Sequence, residues 1–255
     1  MKKIDEELML FFDDMMSHIR EFKRKKYAKV FEEGFLKYKD LCKEIKEAII
    51  NEVEEEEKAS LIEHFANVIP EYAYEQMQKK TKLQRDRIEI DYNLNMVVYI
   101  VPILNYEKDP DCEAVAKRMV ELWNEKGVTS MQISYSDYDI ISGGFKKKLC
   151  YITTAVCESR NLPDDCYELT TLRTYRDDYL MRTEEGQKLV EEYYDIAPVL
   201  VMCIDMQNNS KEIYENIYKK YLLPCLADIE NDQMEACREN YVSMVHELER
   251  KYLYS

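Results

Sequence analysis

Residues 2–22, KKIDEELMLFFDDMMSHIREF, carry the pattern that decides the fold of this chain. Apolar side chains recur in it at steps of three and four residues: Ile4, Leu8, Phe11, Met15, Ile19 and Phe22. This spacing places them along one face of an α-helix. The same spacing returns in residues 31–49 and again from Leu61 to Tyr72. The N-terminal sequence therefore predicts amphipathic helices that pack through their apolar faces, with Phe12 and Phe35 among the core residues.

The composition favours helices over other fold classes. Of the 255 residues only five are glycine and six are proline, so the residues that turns use most are scarce. β-Sandwiches, Rossmann folds and (β/α)8 barrels are disfavoured for the same reason. Residues 88–100 contain a strand-like alternation at Ile88, Ile90 and Tyr92, but a buried helix fits them as well. We predict an all-α protein with at most a minor β element in residues 88–100.

Three segments organise the predicted helices. Residues 1–85 are expected to form a helical hairpin or bundle, residues 86–144 a middle helical segment, and residues 145–255 a cysteine-rich helical domain. The last boundary is placed at residues 142–144, Ser-Gly-Gly, the glycine pair of the chain. Pro70 is expected to bend or end the third helix because proline lacks an amide donor.

Capping signals predict where individual helices begin and end. Asp111 is expected to begin a helix that Gly127 ends, since aspartate favours the N-cap and glycine the position after the last turn. Asp165, followed three residues later by Glu168, has the spacing of a capping box.

Charge and hydropathy limit the partners. The formal net charge is −15, whereas nucleic-acid binding relies on clustered lysine and arginine, so we expect no nucleic-acid partner. The longest apolar stretch, residues 96–104, is too short to span a bilayer. The first residues lack the apolar region of a signal peptide. We expect a cytoplasmic protein without a membrane span, whose partner is another protein or a second copy of the chain.

The eight cysteines are candidates for chemistry. On a helix, Cys150, Thr154 and Cys157 share one face, but the two cysteines lie about 10 Å apart along the axis, too far for a disulfide. Cys150 or Cys157 could serve as a reactive thiol. Cys150, Cys157 and Cys166 could instead bind zinc or an iron–sulfur cluster, although no Cys-x-x-Cys is present. Packing as small buried apolar side chains is the favoured interpretation.

Arg173 and Arg176 fall on a stripe shared with leucines of the same predicted helix. Arginines that point inward must be paired, because an isolated buried charge is costly. Asp177, four residues after Arg173, can pair with one of the two arginines. Glu168, a helix C-terminus or an anionic ligand can take the other, and Tyr194 lies on the next predicted helix. We expect a buried polar network of these side chains, structural or ligand-binding.

Three motifs follow one another in the second half of the chain: CYITTA at residues 150–155, LRTYRD at residues 172–177, and Tyr194 with Ala197-Pro198. Together they resemble the bacterial CFI-box C-terminal domain. In this chain Tyr151 replaces the phenylalanine of the family's Cys-Phe-Ile opening. The resemblance implies a bacterial origin and a compact helical domain over roughly residues 145–205, and it carries over no catalytic role.

The sequence contains none of the common catalytic or nucleotide-binding motifs. The three histidines lie outside His-Glu-x-x-His, and neither Gly-x-x-x-x-Gly-Lys nor Gly-x-Gly-x-x-Gly occurs. We therefore expect an intracellular bacterial binding or scaffold protein with a Cys/Thr/Arg polar site in its C-terminal domain. The alternatives are a metal- or cluster-binding protein that uses thiolates from several helices, and a thiol-dependent enzyme or redox sensor.

Overall fold

The chain is helical throughout the part that the structure describes. The computed structural model describes residues 1–146 and 151–253, and these ranges contain no β-strand. The predicted all-α class is confirmed. Residues 88–100 are helical, because neighbouring helices cover the apolar side chains from Tyr92 onward on every side. None of the described helices is long and apolar enough to cross a membrane.

Two compact units divide the chain between Gly143 and Gly144, within the Ser-Gly-Gly segment. The helices of the first unit are α1 (Lys2–Met16), α2 (Tyr27–Ile50), α3 (Glu55–Gln78), α4 (Lys82–Asn95), α5 (Val101–Leu104), α6 (Pro110–Lys126) and the beginning of α7 (Tyr138–Lys146). α3 lies alongside α6. Helices from the expected segments 1–85 and 86–144 therefore pack in one unit.

The core of the first unit is rich in aromatic rings. Phe12 on α1 is completely buried, and its ring contacts those of Tyr72, Tyr92 and Trp123 on α3, α4 and α6. The indole N–H of Trp123 donates a hydrogen bond to Oδ1 of Asn93 at 3.0 Å, which satisfies the buried polar atom of the ring. Aromatic rings bury large apolar areas, so this cluster ties four helices together.

A wide helical turn joins α4 to α5 inside this unit. Residues 96–100 form a π-helical turn, and the N–H of Val101 donates to the carbonyl five residues earlier. Pro102 has no N–H to donate to the carbonyl of Val98. The hydroxyl of Tyr27 donates to that carbonyl at 3.0 Å. The buried chain therefore stays helical across a proline with this carbonyl satisfied.

Helix ends in the first unit differ in part from the expectations. α3 does not end at Pro70 but continues to Gln78. α6 begins after Asp109 rather than at Asp111, because Pro110 fits the first helical position, where no N–H is needed. Gly127 ends α6 as predicted, with a positive φ of 61°.

Six described α-helices lie wholly within the second unit. They are α8 (Tyr151–Ser159), α9 (Tyr167–Asp178), α10 (Glu184–Asp205), α11 (Ser210–Ile217), α12 (Leu223–Glu230) and α13 (Met234–Tyr252). α10 packs against α8 and α13, and α12 lies along α13. The expected capping box of Asp165 and Glu168 is wrong: Cys166 occupies the N-cap of α9. Thr183 caps α10 by accepting the N–H of Gly186.

Candidate functional site in the second unit

The three motifs of the second unit meet in space. The hydroxyl of Tyr193 on α10 accepts the N–H of Ile152 on α8 at 2.9 Å. The rings of Tyr151 and Tyr194 meet edge to face, with centroids 6.0 Å apart. From α9, Nη1 of Arg176 donates to the hydroxyl of Tyr194 at 3.0 Å. The described residues of the three motifs therefore form one site.

Arg176 is the charged centre of this site. Its Nε and Nη2 donate to the two carboxylate oxygens of Asp177 at 2.7 and 2.9 Å. These hydrogen bonds lower the pKa of Asp177 below its ordinary value, so the carboxylate stays ionised at neutral pH. The side chain of Arg176 is 18% exposed, but that of Asp177 is 59% exposed. The expectation of a buried network is therefore wrong for Asp177, because this acid, which neutralises Arg176, faces solvent.

Arg173 pairs with an acid that the sequence did not indicate. Its Nη2 donates to the carboxylate of Asp164 at 2.6 Å, and its Nη1 donates to the carbonyl of the same residue at 2.9 Å. Asp177 is held by Arg176, although the spacing allowed a pair with Arg173. The loop before α9 folds back along the helix and presents Asp164 to Arg173 instead. Arg173 therefore anchors this loop, while Arg176 joins α9 to α10.

Four half-buried tyrosines extend the site: Tyr151, Tyr193, Tyr194 and Tyr241. We call them the tyrosine cluster. The ring centroid of Tyr193 lies 5.7 Å from those of Tyr194 and Tyr241. The hydroxyls of Tyr241 and Thr153 share a hydrogen bond of 3.2 Å. The cluster thus connects α8, α10 and α13 while leaving part of each side chain accessible.

Thr154 is not connected to the expected network. The residue is buried on α8, and its Oγ1 makes no hydrogen bond within the part of the chain that the structure describes. Its neighbour Thr153 bonds to the tyrosine cluster instead. The sequence motif therefore contributes a threonine to the site, but a different one from that predicted.

Of the two predicted reactive thiols, the structure describes only Cys157. Cys150 lies outside the described ranges. Cys157 packs against Cys166 and Leu169. Burial, and next a hydrogen bond with Cys166, raise the pKa of Cys157 to about 12. Cys157 is therefore a protonated thiol at neutral pH.

The predicted metal centre has two of its three cysteines together. A structural zinc site takes four ligands, and an iron–sulfur cluster is held by several thiolates. Within residues 1–146 and 151–253, no group of three or more His, Cys, Asp or Glu side chains is arranged to hold a metal ion. A site made of Cys150, Cys157 and Cys166 thus depends on Cys150, outside these ranges.

Asp164 and Tyr241 are among the site residues that the sequence reasoning did not identify. Asp164 lies in a loop, where no periodicity indicates which side chain it faces. Tyr241 is one of 21 tyrosines, and its helix face is otherwise typical of a core. Its hydrogen bond to Thr153 depends on the packing of α13, which local sequence does not encode.

Comparisons with known proteins identify no relative of this chain. No family model matches the chain, and neither a curated protein nor a solved structure matches it. The resemblance to the CFI-box domain therefore rests on the three motifs.

The two arginines are expected to differ in their effect on stability. Arg176→Ala should lower the free energy of unfolding by about 1–3 kcal/mol, because it removes charge-assisted hydrogen bonds that join two helices. Arg173→Ala should cost less than about 1 kcal/mol, because the Asp164 side chain is 74% exposed. Urea unfolding followed by far-UV circular dichroism measures both. A larger loss for Arg173→Ala would contradict the assignment of Arg176 as the centre.

Proposed function

We propose that this chain is a helical binding or scaffold protein that holds a protein partner through Arg176 and the tyrosine cluster. One observation carries the proposal: an arginine and four tyrosines from four helices lie together, fixed by hydrogen bonds and only half-buried. Side chains placed in this way are pre-organised and still within reach of another molecule.

The chemistry of these side chains suits protein recognition. Tyrosine and arginine are enriched among the residues that contribute most to interface energy. A tyrosine presents a large amphipathic surface and has few rotatable bonds to order on binding. Asp177 and Tyr194 already hold the guanidinium of Arg176 in place. Ordering this side chain when a partner binds would therefore cost little conformational entropy. A partner with apolar side chains flanked by polar groups would complement this face.

The same proposal includes the family and the cellular location: the chain is an intracellular bacterial protein whose second unit is a CFI-box-like domain. The order of the three motifs supports this assignment. Their described residues also contact one another, so the motifs behave as parts of one structural site.

The described residues give less support to two other functions, a thiol-dependent enzyme and a metal- or cluster-binding protein. A thiol-dependent enzyme needs a thiolate, whereas Cys157 is protonated at neutral pH. A metal- or cluster-binding protein needs more ligands than the pair of Cys157 and Cys166.

Partner capture tests the proposed function. The tagged full-length chain and its Arg176→Gln variant are incubated with extract of the native host, and bound proteins are quantified by mass spectrometry. We expect at least one protein to be enriched by the wild type and reduced about tenfold by the variant, because interface arginines commonly contribute more than 1 kcal/mol. If the partner is a second copy, sedimentation should show that Arg176→Gln dissociates a homo-oligomer.

Arg160→Gln provides the matched control. Arg160 also pairs with a carboxylate, that of Glu215, and its guanidinium lies 3.7 Å from the ring centre of Tyr218. This variant should retain the partner. Circular dichroism verifies that both variants are folded. Equal capture by the wild type and both variants would contradict the proposal, as would a monomeric wild type that enriches no protein.

A further inference from the structure

Cys157 and Cys166 lie on either side of the turn that joins α8 to α9. Cys157 is in the last part of α8, and its carbonyl accepts the N–H of Leu162 at 2.9 Å. Cys166 is the N-cap of α9. The two cysteine side chains pack against each other and against Leu169. A short loop therefore connects two neighbouring thiols.

The two thiols differ in their access to solvent. Cys157 is completely buried, whereas Cys166 is 9% exposed and lies between the exposed residues Asp165 and Tyr167. A small oxidant approaching from solvent would thus reach Cys166 before Cys157.

We propose that Cys157 and Cys166 are a redox pair that a hydroperoxide converts to an intramolecular disulfide, with Cys166 as the attacking thiol and Cys157 as the resolving thiol. The pair uses residues other than Arg176 and the tyrosine cluster, so this inference does not rest on the proposed binding function.

The reaction proceeds in two balanced steps. The Cys166 thiol releases its proton and its sulfur attacks the terminal peroxide oxygen; the O–O bond breaks, and the departing oxygen takes up that proton to leave as water or an alcohol. Cys166 is now a sulfenic acid. The sulfur of Cys157 then attacks the sulfur of Cys166, the S–O bond breaks, and hydroxide leaves as water with the proton of Cys157. Two thiols are oxidised and one hydroperoxide is reduced.

Cys225 and Cys237 form a matched control pair in the same unit. They lie on α12 and α13, and Sγ of Cys225 donates to the carbonyl of Cys237 at 3.7 Å. Both are completely buried. The hydrogen bond with Cys237, together with burial, raises the pKa of Cys225 well above its ordinary value. A pair shielded in this way should react slowly while the unit is folded.

Peptide mapping after brief exposure to hydrogen peroxide tests the proposal. The reduced full-length chain is oxidised, alkylated without reduction and cut with trypsin, which cleaves after Arg160, between the two cysteines. We expect peptides 149–160 and 161–173 to appear joined by a disulfide. This link should form at least about tenfold faster than one between Cys225 and Cys237, because Cys166, 9% exposed, is the one of these four cysteines that is not completely buried.

Single substitutions assign the link, since peptide 149–160 also contains Cys150. Cys150→Ser should retain the joined peptides. Cys157→Ser should lose them and leave Cys166 as an overoxidised acid. The proposal is overturned if the link survives in Cys157→Ser, if the folded wild type forms none, or if the Cys225–Cys237 link appears at the same rate.

Discussion

Phe12→Ala is expected to lower the free energy of unfolding of the first unit by about 3–5 kcal/mol, the range for removing a large aromatic ring from a packed core. Phe12 is completely buried, and its ring contacts those of Tyr72, Tyr92 and Trp123 on three other helices. The substitution therefore leaves a cavity at the point where four helices meet. Trp123 is the only tryptophan, so its fluorescence during urea unfolding reports on this unit.

Phe35→Ala is the matched control, because the sequence places both phenylalanines on apolar stripes. Phe35 on α2 is only half-buried, and its ring meets that of Tyr106, which is itself 41% exposed. The interpretation of Phe35 as a core residue is therefore wrong. We expect a loss of about 1–2 kcal/mol, since less apolar area returns to water. Equal losses for the two variants would contradict the described core.

Gly186→Ala is expected to destabilise the second unit by about 3 kcal/mol or more, although alanine normally favours a helix over glycine. A Cβ at this position would lie 2.0 Å from the carbonyl oxygen of Leu180. The contact is with backbone, so no side-chain rotation relieves it. The start of α10 would have to move away from the preceding 3₁₀ turn, weakening the cap that Thr183 provides.

Gly144→Ala is the control for this effect. Gly144 lies in α7, and a Cβ there would meet no atom within 4 Å. It should leave stability unchanged or raise it by up to about 1 kcal/mol, the ordinary gain of a glycine-to-alanine change in a helix. Urea unfolding followed by circular dichroism distinguishes the opposite signs. Similar effects at the two positions would show that the close approach at Gly186 is incorrect.

Local pattern was sufficient to predict the fold class. The apolar spacing around Ile4 and Phe12 and the scarcity of glycine both point to helices, and the structure has helices there. The pattern failed at Phe35, because the apolar stripe of α2 is wider than the surface that other elements cover. At Pro70 the pattern allowed either a bend or an end of the helix, and the helix does not end there but continues to Gln78.

The sequence predicted several residues of the site but fewer of the contacts between them. Arg176, Asp177 and Tyr194 were identified from spacing and motif, and the structure joins them. The partner of Arg173 was not predicted, because two acids, Asp164 and Asp177, were within reach and only the path of the loop selects between them. The path of a loop next to a helix is not contained in a helical period.

Affinity for the purified partner tests the central claim most directly. Isothermal titration calorimetry compares the wild type, Arg176→Gln and the control Arg160→Gln. The proposed binding face predicts that Arg176→Gln raises Kd at least about tenfold, equivalent to about 1.4 kcal/mol, and that Arg160→Gln changes it less than about twofold. The same Kd for all three proteins would contradict a partner held by Arg176 and the tyrosine cluster.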